Sequence, residues 1–435
     1  MEEEARFMQP ASVLLGEPSF GERGFVVERL LAPEQAIVAY FARAELAVPR
    51  VERVALTECA GRVLAGEIAA REDHPSHARS TMDGFAIKSG GDARRAIVGE
   101  VRMGAPAPRA IGPDEALRIP TGGALPEGAD AVVPIEDVDE DRATLALRSR
   151  VAAGENLTQR GADVRAGERV LAAGRRLGAP ELGVLATLGD ASVDVFVRPR
   201  FGIISTGDEL VDPGTALSIG QIRDSNRYAL GASLAALGAE AVQLPRVRDD
   251  MEALRRALAE ALETCDGVLL TGGSSVGERD YTPRVVAQLG EPGLIVHGIR
   301  VKPGKPTLLA AVGGKPILGL PGNPASSLMI LEAVARPIVV ALTGETHARA
   351  RGVEARASAP INGRAGWTWY VPVRLCVRGG TLVAEPLPLR SSHTSLLSRA
   401  AGYVTIDELH PKIEEGDRVA VTFFSCGGAP IETSS

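Results

Sequence analysis

The sequence predicts a multidomain protein of α/β and β type: a central, doubly wound, mostly parallel α/β domain, an inserted β-rich domain, a helical linking domain and a small C-terminal β-barrel. Three observations carry this. Residues 199–343 alternate apolar runs with amphipathic helical stretches in β-α-β-α-β order, the pattern of a parallel sheet with crossover helices. Residues 67–163 hold short apolar runs broken by frequent Gly and Pro. Beyond residue 344 helical spacing fades into alternating runs.

Length and charge bound the rest. At 435 residues the chain suits roughly three domains of about 150 residues, each able to bury a core. Lys plus Arg total 48 against 55 for Asp plus Glu, a net charge of −7. No overall basic field draws it to nucleic acid or anionic lipid. No run approaches about 18 apolar residues, and Met1-Glu-Glu-Glu-Ala-Arg6 lacks a signal-peptide pattern, so no membrane partner and a cytoplasmic address are expected. Cys59, Cys265, Cys376 and Cys426 form no Cys-x-x-Cys pair and read as buried reduced thiols.

In chain order, residues 1–30 read as an extension with little fixed structure. Pro33 at a first helical position, with Ile37, Tyr40, Phe41 and Ala44 at helical spacing, predicts a helix ending before Pro49. Residues 31–66 and 164–198 are expected to form the linking domain, interrupted by residues 67–163. In the insertion, Asp83 sits on an Asp-Gly turn within Ser80-Thr-Met-Asp-Gly-Phe-Ala-Ile87, and Thr121 precedes two glycines. The acidic run Glu136–Asp141 reads as a solvated hairpin rather than a cation site, and His74-Pro-Ser-His77 lacks metal-binding spacing.

Three apolar runs of the central block end in turns of small polar residues: Phe201–Leu210, Val268–Gly277 and Ile317–Ser327. Ligands of open α/β sheets bind where carboxyl ends of strands meet helix starts, so these turns read as a phosphate or oxyanion site. Ser225 or Asn226 is expected to cap the helix carrying Leu230 and Leu234, Asp249 or Asp250 the next, and Asn323 a long third helix. Strands are expected near Leu294–Val301 and Thr307–Val312. The same edge carries Asp208, Glu209, Asp249 and Asp280, with Lys302 and Lys305 on a Pro-Gly turn. Carboxylates beside a phosphate call for a cation such as Mg²⁺, and the lysines suit the remaining anionic charge. No P-loop, Gly-x-Gly-x-x-Gly fingerprint or Gly-x-Ser-x-Gly elbow occurs.

From about Leu31 to the C-terminus the chain resembles the molybdopterin molybdenumtransferases of the MoeA family, related to the gephyrin E domain. The resemblance rests on Ser-Thr-Met-Asp-Gly-Phe-Ala (80–86), Pro-Thr-Gly-Gly-Ala-Leu-Pro-Glu-Gly-Ala-Asp (120–130), Ser-Thr-Gly-Asp-Glu-Leu (205–210) and Gly-Gln-Ile-Arg-Asp-Ser-Asn (220–226). Ser-Val-Gly-Glu-Arg-Asp-Tyr (275–281), Lys-Pro-Gly-Lys-Pro (302–306) and Leu-Pro-Gly-Asn-Pro (320–324) complete it. It implies a homodimer of four-domain subunits whose central domain, of molybdopterin-binding type, takes adenylylated molybdopterin and inserts molybdate with release of AMP. The cleft would pair the central domain of one subunit with the β-rich domain of the other, and other molybdenum cofactor biosynthesis proteins would be partners.

By motif match, Asp83, Thr121, Glu209, Asp249, Asp280, Lys302 and Lys305 are the implied catalytic residues, with Glu209 and Asp280 at the metal. Ser205, Thr206, Gly207, Asp208, Gly272, Gly273, Ser274, Ser275, Gly277, Pro303, Gly304, Pro321, Gly322, Asn323 and Ser326 are the implied substrate-binding residues. The chain departs from common members at Gly298, Thr158, Ala162 and Pro372, leaving Arg374, Ser392 and Ser395 as open candidates for oxyanion contact. Two alternatives stand beside insertion: the adenylyltransferase that makes the adenylylated pterin, and a dimeric scaffold that binds pterin without turnover.

Overall fold

The computed structural model describes residues 20–21, 24–25, 30–272, 281–346, 351–388, 392–429 and 431–433. The chain forms two compact units. One comprises Met1–Glu52, Gly61–Val63 and Val195–Ser435, the other Arg53–Ala60 and Leu64–Asp194.

Helix α1 (Pro33–Arg43) opens the larger unit with Pro at its first position, and the Ala32 N–H donates to the Gln35 side-chain Oε1 at 3.1 Å. In the smaller unit a six-stranded sheet contains β1 (Gly84–Ile87), β2 (Arg94–Glu100), β3 (Glu115–Ile119), β4 (Ala131–Pro134), β5 (Val138–Asp141) and β6 (Thr144–Leu147). Its order is β5-β6-β2-β3-β1-β4, antiparallel except between β2 and β3. Both faces are covered: Phe85, Ile87 and Val133 enter one apolar cluster, while Ala86, Leu117 and Val132 enter another. That division is what period-2 alternation requires of a sheet buried on both sides. The acidic run forms the β5–β6 hairpin, with Asp139 paired to Arg148 and Glu140 to Arg118. Helix α2 (Ala179–Thr187) starts where Glu181 accepts the Gly178 N–H and an Arg175 ion pair.

The central sheet of the larger unit is built from β7 (Arg200–Ser205), β8 (Glu240–Gln243), β9 (Gly267–Thr271), β10 (Pro292–His297), β11 (Leu308–Val312) and β12 (Lys315–Leu320). Its order is β8-β7-β9-β12-β11-β10. The first four are parallel, while β11 runs antiparallel to both its neighbours, β12 and β10; Gly313 and Gly314 both adopt positive φ and turn β11 directly into β12. Helices α3 (Asn226–Ala236), α4 (Met251–Thr264), α5 (Thr282–Leu289), α6 (Pro324–Ile330) and α7 (Arg336–Thr343) cover it. Ile203, Leu269 and Leu318 share one core with α1, α3, α6 and α7, while Ile204, Leu270 and Ile317 share the other with α4 and α5. Layers on both faces are the doubly wound arrangement expected.

A π-helical turn, Leu331–Ala335, joins α6 to α7. Buried Glu332 on it accepts from the Ser233 hydroxyl of α3 and from the Ser425 N–H (3.0 Å) and hydroxyl (2.8 Å), so the carboxylate is satisfied inside the core. The run Pro324–Thr343 is long and apolar enough to cross a membrane, with mean hydropathy 1.7, contrary to the expectation that no such run exists. Of its most apolar window 72% is buried against the rest of the unit, as suits a core helix.

The C-terminal strands β13 (Gly352–Ala357), β14 (Thr368–Arg378), β15 (Thr381–Pro386), β16 (Gly402–Ile406) and β17 (Arg418–Phe423) close on themselves in the order β14-β15-β13-β17-β16-β14. Closure removes free edges, and Ala355, Val373, Leu375, Ala384, Val404 and Val421 fill the interior. This is the small barrel expected. The strand expected at Leu294–Val301 is shorter, since Gly298 takes positive φ; Val301–Lys302 pairs instead with Thr368–Trp369 of β14. Cys59, Cys265 and Cys376 are buried thiols as expected, whereas Cys426 is exposed.

Candidate functional site

The turns after β7, β9 and β12 meet. Thr206 leaves β7 with its N–H bonded to the Thr271 carbonyl (2.9 Å), which ties the first turn to the second. Gly272 follows at φ +91°, and a Cβ there would lie 2.4 Å from the Thr206 carbonyl oxygen, so only glycine lets the two backbones approach this closely. A Cβ on Gly322 would lie 3.4 Å from the Gly272 Cα, bringing the third turn to the same place.

Asn226, the first residue of α3, locks the arrangement. Its Nδ2 donates to the Thr271 Oγ1 (2.6 Å) and to the Gly322 carbonyl (2.8 Å), and the residue is 8% exposed. The sequence suggested Asn226 only as one of two capping candidates; neither it nor Ser225 caps α3 through its side chain. Its position at the end of the 220–226 stretch was the available signal. Around these turns Ser205 Oγ, Thr206 Oγ1, Asn226 Oδ1 and Ser327 Oγ are buried without a hydrogen-bond partner among the described residues. Unpaired buried polar atoms are costly, so a group of them at a sheet's carboxyl edge marks a place suited to a ligand.

The expected carboxylates are arranged differently from one another. Asp208 and Glu209 are exposed, and the Glu209 carboxylate lies over Gly207, where a Cβ would come within 2.6 Å of it. Asp250, not Asp249, caps α4 by accepting the Ala253 N–H at 2.7 Å, which separates two neighbours that the sequence left tied. Asp249 is exposed immediately before it. Gly273, Ser274, Ser275, Gly277 and Asp280 lie outside the described residues. Among the described residues no group of three or more His, Cys, Asp or Glu converges as a metal site. The exposed Glu209 carboxylate is an oxygen donor of the kind magnesium takes. Pro321 and Ser326 are buried, and Gly322 and Asn323 face outward.

Lys302 and Lys305 occupy a separate turn. Gly304 there, at φ +108°, leaves no room for a Cβ beside Ile330, and its carbonyl accepts from the Thr307 N–H and hydroxyl. Because Ile330 ends α6 and Gly322 lies just before it begins, the lysine turn and the glycine turns are about 10 Å apart along that helix. Pro303 is buried and both lysines are exposed. The Lys302 ammonium sits 4.0 Å from the centre of the Trp369 ring, a cation–π contact no sequence pattern announced. Beside it a cavity of about 320 Å³ is lined by Lys302, Ile361, Asn362, Trp369 and Pro386. Arg374 is engaged by Glu385 on the neighbouring strand, while Ser392 and Ser395 are exposed.

In the smaller unit the two motif turns also come together. Register pairs Gly84 with Ile119, which puts Asp83 and Thr121 at one end of the β1–β3 ladder. Asp83 Oδ1 accepts the Thr121 N–H (2.6 Å) and hydroxyl (3.0 Å). Those two bonds, the backbone one foremost, hold the Asp83 carboxyl below the usual carboxylate range.

Comparisons with known proteins identify the family. Residues 31–189 match the MoeA N-terminal region (domain I and II), 202–341 a probable molybdopterin binding domain, and 354–424 the MoeA C-terminal region (domain IV). A molybdopterin molybdenumtransferase of Bacillus subtilis is 30% identical over 383 residues, 85% of this chain and 89% of that protein. The chain belongs to the molybdopterin molybdenumtransferase family. A second member, from Staphylococcus aureus, is 34% identical over 67% of this chain and 71% of its own length. The family fold is matched in solved structures too. The crystal structure of a molybdopterin biosynthesis MoeA protein from Pyrococcus horikosii is 31% identical, with 91% of this chain and 99% of that one covered at a TM-score of 0.75. Another, from Pyrococcus horikoshii OT3, is 25% identical over 91% and 100%, with a TM-score of 0.79.

Proposed function

We propose that this protein inserts molybdenum into adenylylated molybdopterin, with release of AMP, as the last step of molybdenum cofactor assembly. The observation that supports it most is the meeting of the Thr206, Gly272 and Gly322 turns around buried, unpartnered polar atoms, in a chain of this family. Ser205–Asp208, Gly272 and Pro321–Asn323 hold the pterin nucleotide, with Gly273, Ser274, Ser275, Gly277 and Ser326 as further contacts. Lys302, Lys305, Pro303 and Gly304 form the part that faces anionic charge, where an ammonium attracts the molybdate oxyanion and backbone N–H groups add to it.

Glu209 and Asp280 would hold magnesium, which supplies charge neutralisation at the phosphoanhydride when bound. The chain's own residues do the rest: glycine turns let the phosphates approach the backbone, and Asp249 stands at the start of α4 with its carboxylate exposed. The phosphoanhydride is cleaved by water or by the oxyanion and AMP leaves; the two dithiolene sulfurs then displace an oxygen of molybdate, which leaves as water with the two thiol protons. Asp83 and Thr121 join from the β-rich domain (67–163) of a second copy, so the active form is a homodimer. The linking segments 31–66 and 164–198, the central domain 199–343 and the barrel 344–435 complete each subunit, and the cytoplasm is its place of work.

The test is to incubate the purified chain with adenylylated molybdopterin, Mg²⁺ and molybdate and to follow AMP. Release that depends on molybdate is expected. Consumption of ATP with unmodified pterin would instead assign the adenylyltransferase reaction, and the absence of both activities would favour the scaffold reading.

A further inference from the structure

The amide of Asn226 has one orientation consistent with its neighbours. The Gly322 carbonyl can only accept a hydrogen bond, so the atom 2.8 Å from it is Nδ2, and the same nitrogen reaches the Thr271 Oγ1 at 2.6 Å. That leaves Oδ1, an acceptor, buried with no partner among the described residues. Thr206 Oγ1 is in the same state, and it borders the same turns, since a Cβ on Gly272 would lie 2.8 Å from it. Two polar atoms unpaired among the described residues, both on residues that border Thr271 and Gly272, are what a hydrogen-bonding ligand would complete. Asn226 uses both amide protons to hold the turns, and its carbonyl oxygen is the part left for substrate.

We infer that Asn226 is a substrate-contacting residue: its Oδ1 accepts a hydrogen bond from an N–H or O–H donor of the pterin nucleotide, with the Thr206 hydroxyl completing the contact. This rests on the pterin-nucleotide site proposed above and adds to it a residue with two roles, anchor and acceptor. The donor chemistry has two sources on one substrate, the ribose hydroxyls of the adenylate and the amino-lactam edge of the pterin.

Calorimetric titration of the full chain with AMP, and separately with 6-hydroxymethylpterin, distinguishes them. Thr206→Val is the decisive variant. If its hydroxyl touches no ligand, replacing an unpaired buried O–H by a methyl leaves binding unchanged and leaves stability unchanged or raised. Contact with ligand predicts instead an unchanged or higher Tm together with about five- to tenfold weaker binding of one probe. Asn226→Ala is expected to weaken the same probe by at least about tenfold and to lower the Tm, because both anchors go; should it not fold, Thr206→Val still decides. Loss confined to AMP assigns the ribose side, and loss confined to the pterin assigns the lactam edge. A probe bound by both variants as by the parent chain overturns the inference while leaving the site itself standing. Failure of the parent chain to bind either probe overturns the site, and the inference with it.

Discussion

The Asp83–Thr121 corner of the β-rich unit and the Thr206–Gly272–Gly322 edge of the central sheet are both made of glycine turns and short polar side chains, yet they are opposites in hydrogen bonding. At the corner the carboxylate takes a backbone N–H and a hydroxyl from one residue, and it is satisfied as it stands. At the edge the amide of Asn226 is half used, and Ser205, Thr206 and Ser327 hold buried hydroxyls that are unpaired among the described residues. A satisfied corner is preorganised and presents a fixed charge. An unsatisfied edge is where binding energy is still to be gained.

Substitutions can break or sharpen that contrast. The largest effect is expected at the edge from Gly272→Ala, which sets a methyl 2.4 Å from the Thr206 carbonyl at φ +91°. Backbone against backbone cannot give way cheaply, so about 3 kcal/mol of stability should be lost in urea unfolding, and AMP release should fall below detection. The matching change at the corner, Gly84→Ala, places a methyl 2.0 Å from the Val133 carbonyl. A loss of about 2 to 3 kcal/mol is expected, confined in hydrogen exchange to the β-rich unit.

Smaller and more diagnostic is Thr121→Val. It removes the hydroxyl but not the backbone N–H, so carbon-detected titration should show the Asp83 pKa rising part of the way toward its ordinary value and no further. The sign follows from linkage: a carboxyl depressed in the folded state adds stability above its unfolded pKa of about 3.9, and that stability is lost as pH falls through the lower folded value. A titration identical to that of the parent would mean the hydroxyl does not hold the carboxylate. The smallest effect should come from Ser327→Ala at the edge, where deleting an unpaired buried hydroxyl is expected to change stability by under about 0.5 kcal/mol. A loss well beyond that, with activity intact, would mean the hydroxyl has a structural partner and would weaken the contrast.

Much of the fold was legible in the residues. Alternation of runs and helical stretches located the doubly wound sheet, and alternating strands after residue 344 located the barrel. Local rules failed where long-range contact decides. Whether Asp249 or Asp250 capped α4 depended on which side chain reached the Ala253 N–H. The apolar run Pro324–Thr343 escaped notice as a possible span because Glu332 and Arg336 interrupt it; in the structure the Glu332 carboxylate accepts hydrogen bonds from Ser233 and Ser425, residues about a hundred positions away in either direction. At the site, motif spacing picked out Asp83, Thr121 and the three turns. It passed over Asn226 and Trp369, whose partners, Gly322 and Lys302, lie far along the chain.

By itself, then, the sequence determined the kinds of layer, the glycines that permit close turns and the family motifs, because each depends on local conformation or short spacing. Only the tertiary structure decided that Gly272 touches Thr206, that Asn226 spends its amide protons on two separate turns, and that Lys302 rests on Trp369. Which polar atoms are satisfied and which are left for a ligand depends on neighbours tens of residues away, and no local pattern encodes that.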